Sequence, residues 1–368
     1  MRGTIAVLAG DGIGPEIMAS AVRILDAVNA KFGHTFETKE GVTGGVAYDK
    51  FGVHLPAETV EMCKKADAIL FGAVGGPVSD QESTRWKDAE KNVILGLREK
   101  FNLFANLRPL KVWQGTESFS PLKPDLIAGM DVLIVRELIA GIYFGPMRRY
   151  EVDGEITAEE TSRYTWKEIA SVVRIAFVAA QKRRKKLTIV DKANVLETSR
   201  LWRDVTRFIH AEFPDIAMDF MFVDNAAQQL VRSPASFDVI ATDNMFGDIL
   251  SDLGGAVVGS LGLVPSASIS AKVGSASGGN ARRFGLYEPA HGSAPDIAGK
   301  NIANPTAQIL SLAMLLRYTY DLDKEAQAIE EAVLSAWKAG KKTKDLAAKG
   351  EEILSTDDFT SCVIEQLQ

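Results

Sequence analysis

Five short apolar runs recur along the chain at Thr4 to Leu8, Ala68 to Phe71, Val132 to Val135, Leu187 to Val190 and Phe237 to Ile240, separated by helical patterns such as Trp166 to Ala180. Strand-length runs alternating with helix-length ones predict an α/β protein. The first run leads into Ala9-Gly10-Asp11-Gly12-Ile13-Gly14, and Pro15 and Glu16 then open a helical pattern through Ile17, Ala21, Ile24, Leu25 and Val28. Glycines permit a sharp turn, proline is preorganised for the first helical position, and glutamate favours the positive helix end. The spacing is not Gly-x-Gly-x-x-Gly and no acid closes a second strand to hold a ribose, so this loop gives weak support for an ordinary dinucleotide fold.

At 368 residues the chain exceeds the size at which one core usually keeps growing, and two domains are expected. A net charge of −6 disfavours nucleic acid as a partner. The basic run from Gln181 to Lys186 follows a helical pattern, where cations oppose the macrodipole, and is read as capping and solvating that helix. Cys63 and Cys362 lack paired spacing, which predicts reduced thiols in the cytoplasm. No leader, transit peptide or membrane span is expected. The polar stretch from Tyr150 to Tyr164 centres on the turn signal Val152-Asp153-Gly154-Glu155 and predicts a projecting two-stranded arm that needs a partner surface. Ser266 to Arg283, rich in glycine and serine, is read as a long loop, and Asn304-Pro305 as the start of a helix.

Asp248 and Asp252 stand four apart in Asn-Met-Phe-Gly-Asp-Ile-Leu-Ser-Asp. On a helix, carboxylates at that spacing lie roughly 6 Å apart on one face, within reach of one hard cation. The bland alternative, a solvated face, is weakened by the apolar residues around them. Asp224, after Met221-Phe222-Val223, is read first as an N-cap and second as a third oxygen ligand for Mg²⁺ or Mn²⁺. Arg98, Arg108 and Arg136 sit in apolar or glycine-rich settings; each alone is more often structural, whereas together they suit a dicarboxylate. Lys192, at a strand end, is either solvated or a proton acceptor, and Tyr143, between glycines, either packed or functional. The small residues after His291 allow a loop to wrap an adenine. Asp296 is placed to accept ribose hydroxyls and to repel a 2′-phosphate, favouring NAD over NADP.

These segments carry a resemblance over nearly the whole chain: G-D-G-I-G-P-E at 10–16, G-A-V-G-G-P at 72–77, N-L-R-P at 106–109, R-E-L-I-A-G-I-Y-F-G at 136–145, V-D-K-A-N-V-L-E at 190–197, V-D-N-A-A at 223–227, the acid-pair motif, and E-P-A-H-G-S-A-P-D-I-A-G at 288–299. In that order they resemble the metal-dependent β-decarboxylating dehydrogenases of 2-hydroxy acids, the isocitrate/isopropylmalate dehydrogenase family. The resemblance implies an α/β fold of two domains without the ordinary dinucleotide topology, one from residues 1–103 and 258–368 on the cofactor side and one inserted over 104–257. It implies NAD-dependent oxidative decarboxylation of a 3-substituted malate. Arg98, Arg108 and Arg136 would hold its carboxylates, Asp224, Asp248 and Asp252 would hold Mg²⁺ or Mn²⁺, and Lys192, Tyr143 and Asp224 would move protons. Glu288, His291, Gly292, Ser293, Ala294, Pro295, Asp296, Ile297 and Asn304 would contact NAD, with K⁺ a candidate activator. It further implies a homodimer, with Lys192 and Asp224 reaching a site on the second chain and the arm in the interface. The apolar stretch before Arg98, Ile94 and Leu95 above all, favours an isopropyl group at C3 over a third carboxylate, and thus leucine biosynthesis. Asp243 and Leu253 depart from the family's pattern, where a glycine and an acid are frequent; Asp243 is read as a turn Asx residue ahead of a charge that tunes the cation site.

Overall fold

The structure, a computed structural model, describes residues 1–273 and 282–367. Its described strands are β1 (Arg2–Gly10), β2 (Thr35–Glu40), β3 (Ala68–Ala73), β4 (Ala105–Lys111), β5 (Asp131–Glu137), β6 (Met147–Val152), β7 (Glu155–Glu160), β8 (Lys186–Asp191), β9 (Ala217–Phe222), β10 (Val239–Thr242), β11 (Pro265–Val273) and β12 (Arg282–Pro289). The chain divides into two compact units, Met1–Leu103 with Gly259–Gln368, and Phe104–Val258.

In the unit built from both chain ends the strands run in the order β2-β1-β3-β12-β11. All neighbours are parallel except β11, which pairs antiparallel with β12. Every residue of β3 and Ile5 to Leu8 of β1 are buried, the continuous apolar signature of strands covered on both faces. The chain leaves β1 toward β2 through the Gly14–Phe32 helix and then returns to the other side of β1 as β3. The Gly10–Gly14 turn thus lies where strand order reverses, the position at which open α/β sheets bind ligands.

In the other unit the order is β4-β5-β10-β8-β9, with β4 antiparallel to β5 and the rest parallel. The Trp166–Gln181 helix starts at a full capping box, in which Thr165 and Glu168 satisfy each other's backbone amides. β6 and β7 form a separate hairpin. The α/β class therefore holds, with a mixed topology unlike the ordinary dinucleotide fold. Among the described residues no helix is long and apolar enough to cross a membrane.

Four local expectations change. Residues 265–273 form strand β11 rather than loop, with Ala267 and Ile269 fully buried on one face and Ser266 and Ser268 on the other. The remainder of that expected loop, 274–281, lies outside the described residues. The arm begins at Met147, earlier than expected, and turns through Asp153 and Gly154, both at positive φ as a two-residue hairpin turn requires. Asp224 lies inside the first turn of the Val223–Arg232 helix, whose N-cap is Phe222, so it is no cap. Of the basic run only Lys182 occupies a helix C-cap; Arg183 pairs with Asp131 and the buried Asp238, and Lys185 with Asp215. The run thus ties a helix end to neighbouring strands.

Candidate active site

Antiparallel pairing sets Asn106 of β4 opposite Arg136 of β5, and the strand's two-residue period puts Arg108 on the same face as Asn106. The Asn244–Val258 helix lies against that face. Gly247 is required there, because a Cβ would stand 2.6 Å from the Arg136 side chain. Asp243 accepts the Phe246 amide at 2.8 Å and starts the helix, the Asx role expected of it; burial raises its carboxyl to about 6.

This arrangement packs two arginines against the acid pair. Arg108 donates Nη1 to Ser251 Oγ at 2.7 Å, Asp252 at 3.3 Å and Asp248 at 3.5 Å, and its Nε to Asn106 at 2.8 Å. Arg136 donates Nη1 to Asp248, and Nε and Nη2 to Asn244 Oδ1 at 3.2 and 2.8 Å. The Tyr143 hydroxyl donates to the other Asp248 oxygen at 3.2 Å. Burial and the Asp248 charge both push the Tyr143 phenol up, so it stays a proton donor at neutral pH. Burial raises Asp252 despite Arg108. The arginines are almost wholly buried, whereas the carboxylates keep 36% and 55% of their side-chain surface exposed. Two accessible hard-oxygen donors backed by fixed cations fit a divalent ion and an anionic ligand together.

Lys192 follows β8 and donates to Asp224 at 2.9 Å, which holds that carboxyl below its ordinary value. This pair is separate from Asp248 and Asp252: among the described residues no three His, Cys, Asp or Glu side chains are grouped to hold an ion. One chain therefore does not assemble the three-acid set.

In the two-ended unit the segment after β12 folds back onto the Gly10–Gly14 turn. Ser293 accepts the Ile13 amide at 2.8 Å, and a Cβ on Gly12 would stand 1.9 Å from the Ser293 carbonyl, so that approach demands glycine. Ala294 and Ile297 pack on Ile13, Ile17 and Ala303. Gly292, Pro295 and Asp296 are exposed along this loop. Burial lowers the His291 pKa, and its Nδ1 faces the Gly292 carbonyl at 2.8 Å. Asn304 accepts the Thr306 amide at 3.0 Å and donates to Asp345 at 3.0 Å, holding the start of the Thr306–Tyr320 helix. Glu288 is paired with Arg98 at 3.2 Å, and the buried Arg98 Nε has no hydrogen-bond partner among the described residues. Ile94 packs into this unit's core from the π-helical turn Lys91–Leu95, beside a partly exposed Leu95.

Sequence reasoning passed over several residues that organise these sites. Asn244 is four residues before Asp248 in the motif already singled out, a spacing that places both on one helix face. Asn106 precedes Arg108 by one strand period. Asp11, buried in the glycine turn, accepts the Gly45 amide at 2.9 Å and the Gly75 amide at 3.2 Å, joining that turn to the start of the Gly44–Phe51 helix and to the loop after β3.

A model of the isocitrate/isopropylmalate dehydrogenase family matches residues 4–363. The 3-isopropylmalate dehydrogenase of Carboxydothermus hydrogenoformans is 50% identical over 364 residues, covering 99% of this chain and 94% of the relative. That of Aquifex aeolicus is 50% identical over 365 residues, covering 99% and 97%. The crystal structure of isocitrate dehydrogenase from Methylococcus capsulatus superposes with a TM-score of 0.86 at 35% identity, covering 99% of both chains.

Proposed function

The chain belongs to the isocitrate/isopropylmalate dehydrogenase family, and on that premise we propose that it catalyses NAD-dependent oxidative decarboxylation of (2R,3S)-3-isopropylmalate to 4-methyl-2-oxopentanoate and CO₂ in leucine biosynthesis. The observation that carries this reading is the convergence of Arg108, Arg136 and Tyr143 on the Asp248–Asp252 pair. It provides fixed positive charge for carboxylates, hard oxygens for a cation and a protonated phenol. Ile94 and Leu95 supply apolar surface for the isopropyl group and offer no partner to a third carboxylate.

In this reading Arg98, Arg108 and Arg136 bind the substrate's two carboxylates and hold C2 and C3 in place. NAD⁺, held by Glu288, His291–Ile297 and Asn304, supplies the acceptor for the C2 hydride. Mg²⁺ or Mn²⁺, held by Asp248 and Asp252 with Asp224 of a second copy, supplies Lewis-acid polarisation of the C2 oxygen. Lys192, alone or through a water shared with Asp224, takes the C2 hydroxyl proton as the hydride leaves. Breaking the bond from C3 to the carboxylate releases CO₂ and leaves its electron pair in an enolate. Tyr143 returns a proton to C3, and the keto acid forms. The unit built from both chain ends is then the cofactor-side domain, and the inserted unit carries the acids, Lys192, Tyr143 and the dimer surface. A cytoplasmic location belongs to the same reading, supported by two cysteines that form no disulfide.

The test is NADH formation by the purified protein with Mg²⁺, comparing 3-isopropylmalate with isocitrate, tartrate and malate, NAD⁺ with NADP⁺, and buffers with and without K⁺. The expected result is turnover of 3-isopropylmalate with NAD⁺ well above every other pair. Preference for another acid overturns the assignment of Ile94 and Leu95, and absence of turnover on all of them overturns the function.

A further inference from the structure

Glu137 ends β5 next to Arg136 and points to the opposite side of the strand, where only 1% of it is exposed. No step of the proposed reaction uses it. A buried acid costs several kcal/mol unless it is fully hydrogen-bonded. Its two oxygens accept the Ile139 amide at 2.8 Å and the Ala140 amide at 3.1 Å. The Tyr164 hydroxyl, beside the same turn, accepts the Asn244 amide at 3.0 Å. Asn244 in turn donates Nδ2 to the Ala140 carbonyl at 3.1 Å. The turn 139–141 is thus gripped at both amides and at one carbonyl. Its last residue, Gly141, has φ +76° and lies so close to Tyr164 that a Cβ would stand 2.2 Å from the hydroxyl. Two residues on, Tyr143 emerges from a 3₁₀ turn with its own hydroxyl on Asp248.

We propose that Glu137 and Tyr164 are positioning residues for Tyr143, fixing the 139–141 turn so that the Tyr143 hydroxyl stands where the proton is delivered. The proposal rests on the reading of Tyr143 as the proton donor to C3. A hydroxyl displaced by an ångström loses much of its catalytic effect while the substrate's carboxylate contacts persist. Glutamine at 137 keeps the shape but presents one amide nitrogen to a backbone N–H, which releases one side of the turn. Phenylalanine at 164 removes the acceptor of the Asn244 amide with little change in volume.

The experiment is a double-mutant cycle in the full-length protein, measuring kcat, KM for both substrates and melting temperature of Glu137→Gln, Tyr164→Phe and Tyr143→Phe, singly and combined. We expect Glu137→Gln to lower kcat about tenfold or more with KM for NAD⁺ unchanged, and to change kcat by less than about twofold once Tyr143 is phenylalanine. Tyr164→Phe carries the same cycle should Glu137→Gln not fold. Losses that multiply those of Tyr143→Phe, or a lowered melting temperature with wild-type kcat, overturn the positioning role. Wild-type turnover by Tyr143→Phe overturns the proton-donor reading and this proposal with it, whereas a slow Tyr143→Phe beside unimpaired Glu137 and Tyr164 variants overturns this proposal alone.

Discussion

Arg136 spends Nε and Nη2 on Asn244 and Nη1 on Asp248, a planar fork that lysine cannot reproduce. Arg136→Lys is therefore expected to lose about 2 kcal/mol of transition-state stabilisation, roughly thirtyfold in kcat/KM, with a raised KM for the malate. Steady-state kinetics at fixed NAD⁺ checks it, and a KM left at the wild-type value would detach Arg136 from the carboxylates. The acid pair and the arginines were legible in the sequence because helix spacing and strand ends restrict where such side chains can go. Asn244 and Glu137 were not: an amide inside a motif and an acid at the end of an apolar strand look incidental until tertiary packing presents the groups they bond. The usable signal for Glu137 was an acid directly continuing a fully buried run, where a charge without partners is not tolerated.

Among the elements, β5 and the turn after it carry a pH signature. Burial raises the Glu137 carboxyl from an ordinary 4.5 to about 7, against the opposing pull of the Ile139 and Ala140 amides and with Tyr164 and Glu168 facing it. The folded state therefore holds this proton more tightly than the unfolded state. Stability from the group is intact below about pH 4.5 and is lost as pH rises to about 7, by about 3 kcal/mol at most. Thermal melts of wild type and Glu137→Gln across that range are expected to converge toward the alkaline end, and parallel curves would contradict the shift. The β6–β7 arm belongs at this scale too. Its Asp-Gly turn was readable, and Gly145-Pro146 directly ahead of Met147 was the usable signal for its start. Ile156 at its tip is 79% exposed on a two-stranded ribbon, which is marginal by itself. Ile156→Asp is expected to weaken self-association, seen as a dissociation constant raised in sedimentation velocity. Strand β11 was misread as loop because its serines are small and polar, yet both its faces are covered and its alternation of Ser with Ala and Ile is that of a strand.

For the whole molecule, the separation of Lys192–Asp224 from Asp248–Asp252 within one chain has a direct test. If Lys192 and Asp224 serve the site of a second copy, Lys192→Ala and Asp252→Asn are each inactive alone but complement when mixed. A randomly mixed dimer population recovers about a quarter of wild-type activity, because each heterodimer keeps one intact site. No recovery on mixing would assign all these residues to one chain's site. The order of the chain carries another consequence, for synthesis on the ribosome. Strand β3 is complete at Ala73, but its neighbour β12 begins only at Arg282, roughly two hundred residues later. At about 5–20 residues per second, the nascent N-terminal segment waits tens of seconds with one apolar edge of its sheet open, while the continuous 104–258 unit can already fold. The interval before β12 emerges is when this protein most needs shielding by a chaperone.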